Sequence, residues 1–477
     1  MPILPVTPWS PDSAPLSGGT TIALNVMPRT KTSYGPYASM QPISNALDGK
    51  CIGAISATDQ AVTPHLFAGT PDKLYRLDSA TWIDVSAYGY AVPPGEWWRF
   101  LQFKNMVLAT NIGNNIQALN MASGTFADLS PDAPRARFIA SVKGAFCMVG
   151  NTWDPVGGFA PWRVWWPAVN DPTNWPAPGS STAQAQQSDY NDFAGPDAQL
   201  TGLVAGLGNA DVGIFFTHGI WSGLYAGPPD VFDFHQVEGS MGTRASGAIV
   251  QVGPIVYYLG EDGFYAFDGA TSTQIGFSAV DRWFWDNADP TFAFYTLGSY
   301  DAVNRAIRWV FPSKSSGSTV GNLIFDMEII FIPTLNRWSH AANTVEWITQ
   351  MVGLTGDFAN RPVFAAVDIA HKLNLFTGPP LAAQVSSQEL QPFPTTRAFV
   401  NNVRPLVDGT SPTVAIATRN RLEDAQVWGA DISMTYAGNC PQRAEGRFLE
   451  ALVKMPAGVT WTHMQGVDAT AVPSGMR

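Results

Sequence analysis

The chain has 477 residues, a formal net charge of −11 and only 14% charged residues, whereas glycine and proline are plentiful at 44 and 37. Aromatic residues make up 12%, and together with the turn-forming residues they favour strands joined by tight turns over a long helical bundle. The acidic balance, without any run of Lys or Arg, argues against a protein that grips nucleic acid by neutralising phosphates.

The cysteines and the apolar runs limit the remaining classes. Cys51, Cys147 and Cys440 are too far apart for a zinc motif, and their odd number argues against a disulfide scaffold. We expect them to be reduced and buried in a protein made in the cytoplasm. No apolar run approaches the ~20 residues that span a bilayer, and the N-terminus has no signal-peptide pattern. We therefore predict a soluble protein without a membrane partner.

Residues 1–50 are rich in proline, serine and threonine. This composition predicts an extended arm rather than a helix. The arm either orders only when it docks on a partner or wraps the rest of its own chain, and the sequence leaves both possibilities open.

A repeated unit follows the arm. Each copy is a short apolar strand, a Gly/Asn/Asp turn and a second strand, and the first two copies add a third strand with an aromatic-x-Asp-apolar-Ser ending, at Trp82–Ser86 and Phe126–Ser130. The first strands of the copies begin at Leu66, Val107, Phe146, Ile214, Val256, Ile307 and Val363.

The spacing of these units is close to the ~40–50 residues of one propeller blade, apart from one long gap that holds an inserted loop within 151–200. A single four-stranded blade cannot bury its apolar faces alone, whereas blades packed in a ring can. We predict an all-β fold in which residues 51–390 form a β-propeller of about seven blades, six or eight being the alternatives.

The last part of the chain, 391–477, has a different pattern and predicts a small β-sheet module. Strands are expected at 413–418, 432–436 and 447–455, with 459–463 as the returning strand of a hairpin. The module also offers a strand that would close the propeller ring.

At this point the chain resembles the propeller-shaped tail hub, or nozzle, proteins of short-tailed bacteriophages, which include the packaged-DNA stabilisation proteins. The segments that carry the resemblance are ALNVMP at 23–28, YGP at 34–36, GLGN at 206–209, VYYL at 256–259, DGFY at 262–265, RWVFP at 308–312, NRWS at 336–339, GRF at 446–448 and WTHMQGV at 461–467. The chain departs from the family in its loops, above all within 151–200.

The resemblance implies a structural virion protein with no enzymatic activity and no cofactor. Such proteins form a ring, usually a homohexamer, beneath the portal and the adaptor or head-to-tail connector proteins, next to other tail proteins such as a needle, spike or fibre. The chain would be assembled in the host cytoplasm and reside in the virion tail. Genome DNA would pass through the lumen without sequence-specific binding, and an acidic lumen would repel its phosphates.

Six residues are the predicted partner contacts, because they stand in the arm, in a blade or in the C-terminal module and most are aromatic, as interfaces favour. They are Trp9, Val26, Tyr34, Pro36, Trp165 and Trp461. No catalytic or metal-binding residue is predicted, since the histidines, among them His218 and His235, form no recognised motif.

Two other functions remain open. A glycan-binding phage adhesin would use the pairs Trp97-Trp98 and Trp165-Trp166, although packing between blades explains them more simply. A propeller glycosidase or lyase would need two carboxylates at a fixed distance, and the adjacent Glu261 and Asp262 are better explained as a turn.

Overall fold

The computed structural model describes residues 3–121, 124–155, 157–193, 199–352 and 361–475. Within these ranges the fold is all-β, with two short helices. The arm holds five strands: β1 (Ile3–Pro5), β2 (Ala23–Leu24), β3 (Val26–Thr30), β4 (Ser33–Pro36) and β5 (Gln41–Ala46).

Five four-stranded antiparallel sheets follow in chain order, each built from consecutive strands. Sheet 1 comprises β6 (Ala54–Thr58), β7 (Pro64–Gly69), β8 (Leu74–Asp78) and β9 (Thr81–Asp84). Sheet 2 comprises β10 (Arg99–Phe103), β11 (Met106–Asn111), β12 (Asn114–Asn120) and β13 (Ala127–Asp128). Sheet 3 comprises β14 (Arg135–Val142), β15 (Phe146–Asp154), β16 (Gly158–Trp166) and, after helix α1 (Ser181–Ala185), β17 (Asp189–Asp192).

Sheet 4 comprises β18 (Leu200–Ala205), β19 (Val212–Phe216), β20 (Gly219–Gly227) and β21 (Val231–Gln236). Sheet 5 comprises β22 (Val250–Val252), β23 (Ile255–Leu259), β24 (Phe264–Phe267) and β25 (Ser272–Gln274), and helix α2 (Asp281–Asn287) follows it. Sheet 6 comprises β26 (Leu297–Asp301), β27 (Ala306–Phe311), β28 (Phe325–Ile332) and the 16-residue strand β29 (Arg337–Val352).

Strand β29 belongs to two sheets. Residues 337–345 pair with β28, and residues 345–352 pair with β30 (Pro362–Asp368). Strand β31 (Lys372–Leu375) pairs with β30, and its other edge pairs with β5 from the arm. We call this set, β29–β30–β31–β5, sheet 7. The fourth strand of sheet 7, β5, comes from the N-terminal arm. The sequence pattern had indicated the C-terminal module as a source of a closing strand.

Both ends of the chain build a two-sheet module. Its strands after sheet 7 are β32 (Ala383–Ser386), β33 (Arg397–Val407), β34 (Thr413–Arg419), β35 (Val427–Trp428), β36 (Ile432–Ser433), β37 (Cys440–Gly446), β38 (Phe448–Met455) and β39 (Met464–Ser474). One sheet has the order β3–β4–β39–β33–β37, with β1 also on β39. The other has the order β2–β32–β38–β34, with β35 and β36 on β34, and it continues into sheet 6 because β2 also pairs with β29.

The first strands of neighbouring sheets lie against one another. Strand β10 contacts β6 and β14, β14 contacts β18, β22 contacts β26, and β29 contacts β6 of sheet 1. Large side chains fill the space between the sheets where glycine leaves room. A Cβ on Gly69 would lie 2.3 Å from Cδ1 of Trp98, whose indole N–H donates to the Thr70 carbonyl at 2.9 Å.

The repeat read from the sequence is confirmed at the level of strands. All seven predicted starts fall within the second strand of a sheet, in β7, β11, β15, β19, β23, β27 and β30. The prediction of a strand at 459–463 was wrong, because these residues are irregular. The strand that follows them, β39, pairs with β33 in the other sheet of the module and not with β38. The inserted region contains α1 and β17, so part of it is regular structure. Among the described residues, no helix is long and apolar enough to cross a membrane.

Candidate functional site

A polar cavity lies where the first strands of sheets 2, 3 and 4 meet the segments before and after sheet 5. It encloses about 270 Å³, and a second cavity of about 360 Å³ adjoins it through shared residues. The side chains that line it include Glu96, Trp97, Arg99, Arg137, Phe138, Thr201, Arg244, Ser246 and Phe294. We call this the arginine cavity.

Arg99 begins β10 and lies at the junction of the two cavities. Its guanidinium donates to Ser246 Oγ at 3.0 Å and lies over the rings of Trp97 at 5.1 Å and Phe138 at 5.6 Å. Burial lowers the pKa of Arg99 to about 10, so the side chain stays charged at neutral pH. Among the described residues, no carboxylate pairs with it within 4 Å. Arg99 is thus a half-buried cation held by a hydroxyl and two aromatic faces.

Two more arginines line the cavity. Arg137 of β14 is neutralised by Glu96, with Nη2 2.7 Å from Oε1 and Nε 3.1 Å from Oε2. Arg244 is exposed, lies 4.4 Å above the Phe294 ring and has no carboxylate partner in the described chain. Since Glu96 is the single carboxylate among the lining residues, the cavity wall carries an excess of positive charge on an acidic chain.

Thr201 of β18 adds an unused polar group. Its side chain is only 7% exposed, yet Oγ1 finds no hydrogen-bond partner in the described part of the chain. A buried hydroxyl without a partner costs free energy, on the order of 1–3 kcal/mol. The arrangement of charged and hydroxyl donors can bind an acceptor with negative charge, and it offers no paired acid and base for proton transfer.

Four of the six predicted partner contacts, Trp9, Val26, Tyr34 and Trp461, lie together in one hydrophobic core, whereas Trp165 lies in another. Five of the side chains are buried in this chain: Trp9, Val26, Tyr34, Trp165 and Trp461. Pro36, the sixth, is half-buried at the end of β4. Any contact between the five buried side chains and a partner would require them to leave these positions.

The arm residues have specific partners within the chain. Trp9 donates its backbone N–H to Tyr34 Oη at 2.8 Å and its indole N–H to the Thr21 carbonyl at 3.0 Å. The Trp9 ring stacks on His340 with centroids 4.7 Å apart, and burial lowers the pKa of His340 to about 3. The described arm therefore wraps its own chain.

The residues of the two alternative functions lie as follows. Trp97, Trp98, Trp165 and Trp166 are all at most 9% exposed. Glu261 and Asp262 occupy a tight turn closed by a hydrogen bond from Gly260 N–H to the Gly263 carbonyl at 2.8 Å, as the sequence predicted. His218 Nδ1 lies 3.8 Å from Glu261 on the surface. No described group of three or more His, Cys, Asp or Glu is placed to hold a metal ion.

The prediction that the cysteines are buried and unpaired is confirmed. Cys51, Cys147 and Cys440 are buried and unpaired. Burial raises the pKa of the Cys51 and Cys147 thiols to about 12 and that of Cys440 to about 11, so none is a reactive thiolate.

Sequence reasoning missed the arginine cavity. The available signal was the position of Arg99 and Arg137, which are basic residues beside apolar residues, shortly before the predicted strands at Val107 and Phe146. Thr201 and Arg244 carry no local signal, because only the packing of sheets 2 to 5 brings them together.

The fold and the cavity define the chain as an all-β protein of four-stranded antiparallel sheets with a polar cavity among the sheets' first strands. No family model and no curated protein matches it. It is similar to the computationally designed Ika8 protein, with 9% identity and a TM-score of 0.38, over 70% of this chain and 99% of that one.

Two natural structures are also similar. BamB from Moraxella catarrhalis matches with 11% identity and a TM-score of 0.33, over 71% of this chain and 92% of that one. PorZ, a surface component of the type-IX secretion system of Porphyromonas gingivalis, matches with 12% identity and a TM-score of 0.35, over 84% of this chain and 48% of that one. Similarities this weak carry no argument about function.

Proposed function

We propose that sheets 1 to 7 are the blades of a closed seven-bladed β-propeller. Each has four strands, and the contact of β29 with β6 brings the last blade beside the first. Strand β5, from the N-terminal arm, completes blade 7 by pairing Gln41 with Leu375 and Ala46 with Lys372. Pairing between distant parts of the chain is a way to protect the free edge of a ring.

We further propose that the protein is a structural subunit of a phage tail hub or nozzle. The observation that carries this proposal is the interlocking of both chain ends with the blades. Strands β1 and β4 pair with β39, and β2 lies between β29 and β32. A subunit joined in this way keeps its shape under force from its neighbours, as a structural ring requires.

Arg337 fastens the arm to sheet 6. It is 1% exposed, donates from Nη1 to the Thr30 carbonyl at 2.7 Å and from Nη2 to the Thr7 carbonyl at 2.9 Å, and lies 4.2 Å from the Tyr34 ring centre. One side chain thus holds two segments of the arm against the end of β28 and the start of β29.

The surface that we expect to meet other proteins is the outer edge of the C-terminal module. Val427, Trp428 and Tyr436 are exposed there by 67%, 36% and 109%, near strands β35 and β36, which both pair with β34. In the proposed hexamer this edge contacts a neighbouring subunit, while the adaptor and the needle, spike or fibre proteins lie above and below the ring. Genome DNA passes through the lumen without base-specific contacts.

The proposal is tested by quantitative mass spectrometry of purified particles from the source phage or induced prophage. About six copies per particle, the number expected for one hexameric ring, supports the tail hub, and cryo-EM of the tail then places the ring. Absence of the chain from particles contradicts a virion role. Glycan arrays and hydrolase assays on the isolated protein would then test the adhesin and the enzyme.

A further inference from the structure

The arginine cavity has more positive charge and more hydrogen-bond donors than its own walls satisfy. The Arg99 guanidinium carries five N–H donors, and within the described chain one of them bonds a side chain, Ser246. Ser246 Oγ accepts this bond, and its own O–H donates to no other described residue. Thr201 Oγ1, which lines the same cavity, has no hydrogen-bond partner among the residues that the structure describes.

A cation and a hydroxyl without partners would lower the stability of the fold if their purpose were only structural. A buried cation normally has a carboxylate partner, because leaving it unpaired in a desolvated position is strongly unfavourable. Other arginines of the chain do have a carboxylate partner, in the pairs Arg137–Glu96 and Arg419–Glu389. Arg99, which is half-buried, has no carboxylate within 4 Å among the described residues, although the acidic chain has 38 carboxylates.

The aromatic lining indicates what else the ligand carries. Trp97 and Phe138 lie under the Arg99 guanidinium, and Phe294 lies under that of Arg244. The two cationic groups therefore stand beside apolar ring surface. A cavity of about 270 Å³ is large enough for a small organic molecule and lies near the lower end of the usual size of ligand pockets.

We propose that the arginine cavity binds a small organic anion, whose carboxylate or phosphate group pairs with Arg99 and accepts hydrogen bonds from Thr201 and Ser246. Arginine suits both groups, because its planar fork matches two oxygen atoms at once. Arg244 supplies a second positive charge at the exposed side, and the apolar part of the ligand packs against Trp97 and Phe294. This site is separate from the proposed tail-hub role and does not depend on it.

The test measures binding of three probes to the full chain by isothermal titration calorimetry and thermal unfolding. Inorganic phosphate and benzoate are the anions, and benzamide is the neutral counterpart of benzoate. We expect at least one anion, and not benzamide, to bind and to raise the melting temperature. Binding of phosphate alone assigns a phosphate ligand, and binding of benzoate alone assigns a carboxylate on an apolar body.

The variants locate the binding. Arg99→Gln is expected to weaken anion binding by about tenfold to a hundredfold, the worth of a hydrogen bond to a charged group. Without anion it keeps or raises the melting temperature, because it removes an unpaired cation. Arg282→Gln is the matched control on the surface of α2, where the side chain is 84% exposed, and it leaves binding unchanged.

A second variant keeps the test decisive if Arg99→Gln does not fold. Thr201→Val nearly preserves the shape of the side chain and replaces the hydroxyl with a methyl group, so we expect several-fold weaker binding with an unchanged or higher melting temperature. The proposal is overturned if neither anion binds the wild-type chain at 10 mM. It is equally overturned if the anion binds the Arg99→Gln or, where that variant is unfolded, the Thr201→Val protein as tightly as the wild type.

Discussion

The guanidinium of Arg308 is one of the most completely enclosed charges of the described chain, at 2% exposure. It bonds both carboxylate oxygens of Glu328 and the Tyr37 hydroxyl, lies 3.5 Å from Asp301, and stacks 3.7 Å from the Phe364 ring centre. Glu328 also accepts from Tyr37 Oη at 2.7 Å. A single network thus joins strands of sheets 6 and 7 to the arm.

Removing Arg308 is expected to destabilise the protein strongly. Arg308→Ala leaves Glu328 and Asp301 buried without their cation, which costs about 3–5 kcal/mol for a buried pair. The free energy of unfolding in denaturant measures the loss. Arg282→Ala, which breaks an exposed pair with Asp286, is the control and should change little. A loss below about 1 kcal/mol for Arg308→Ala would contradict this account of the network.

Asp281 predicts a pH dependence of stability. Its carboxylate accepts from Phe264 N–H and from Gln274 Nε2, both at 2.9 Å, and it is 6% exposed. Burial raises the pKa of Asp281 to about 6. Because the pKa of Asp281 is raised in the folded state, the folded protein favours the protonated acid. The contribution of the protonated Asp281 to the free energy of unfolding is therefore complete below about pH 4 and is lost as the pH rises through about 6.

Asp281→Asn should therefore stabilise the protein at pH 8 relative to wild type more than it does at pH 4.5. One pKa unit corresponds to about 1.4 kcal/mol, so the difference is at most about 3 kcal/mol. Melting temperatures at the two pH values measure it. Asp286→Asn, on the same helix with 68% exposure, serves as the control, and equal pH profiles for wild type and Asp281→Asn would exclude this role for Asp281.

At the scale of elements, the pairing of β5 with β31 decides whether the last sheet is complete. Ala46 and Lys372 are directly opposite each other on these strands, and both are exposed. Because the native cysteines are buried, a pair of introduced cysteines can be oxidised without competition.

The double variant Ala46→Cys/Lys372→Cys is expected to form an intramolecular disulfide and to gain stability, typically about 2–4 kcal/mol for a cross-link that closes a long loop. Non-reducing mass spectrometry and thermal unfolding measure the two effects. Ala46→Cys/Lys314→Cys, whose second position is exposed but not paired with β5, should not cross-link. Equal cross-linking in both double variants would argue against the pairing.

At the scale of the whole molecule, the exposed edge of the C-terminal module predicts assembly. Val427 and Trp428 lie on the short strand β35 and are opposite Thr418 and Ala417 of β34. If this edge contacts a neighbouring subunit, Val427→Ser/Trp428→Ser removes buried apolar area. Each large side chain is worth about 1.5–3 kcal/mol when buried, so assembly should weaken by at least about tenfold.

Sedimentation velocity across a concentration series measures this change. Val62→Ser is the matched control, because Val62 is 73% exposed in the turn between β6 and β7 and is not part of the module. A wild-type chain that stays monomeric at high concentration, alone and with its adaptor, would contradict the hexamer.

The sequence by itself determined the repeated strand–turn–strand units, because apolar alternation and turn residues are local. Trp82 and Phe126 marked the last strand of their units to within two residues, since β9 is Thr81–Asp84 and β13 is Ala127–Asp128, which are the fourth strands of sheets 1 and 2. It also determined the burial of the cysteines, as Cys147 stands in an uninterrupted apolar run.

Only the tertiary structure decided which distant edges meet. Leu4 is opposite Val467, Gln41 is opposite Leu375, and 459–463 is irregular although its residues favour a strand. The arginine cavity has the same origin, with Arg99, Thr201 and Ser246 on three different sheets or their connections. The residue pattern of a strand indicates that one of its faces is buried, but it does not indicate which strand pairs with it. That pairing requires the closure of loops hundreds of residues long. It therefore depends on the packing of all the sheets together.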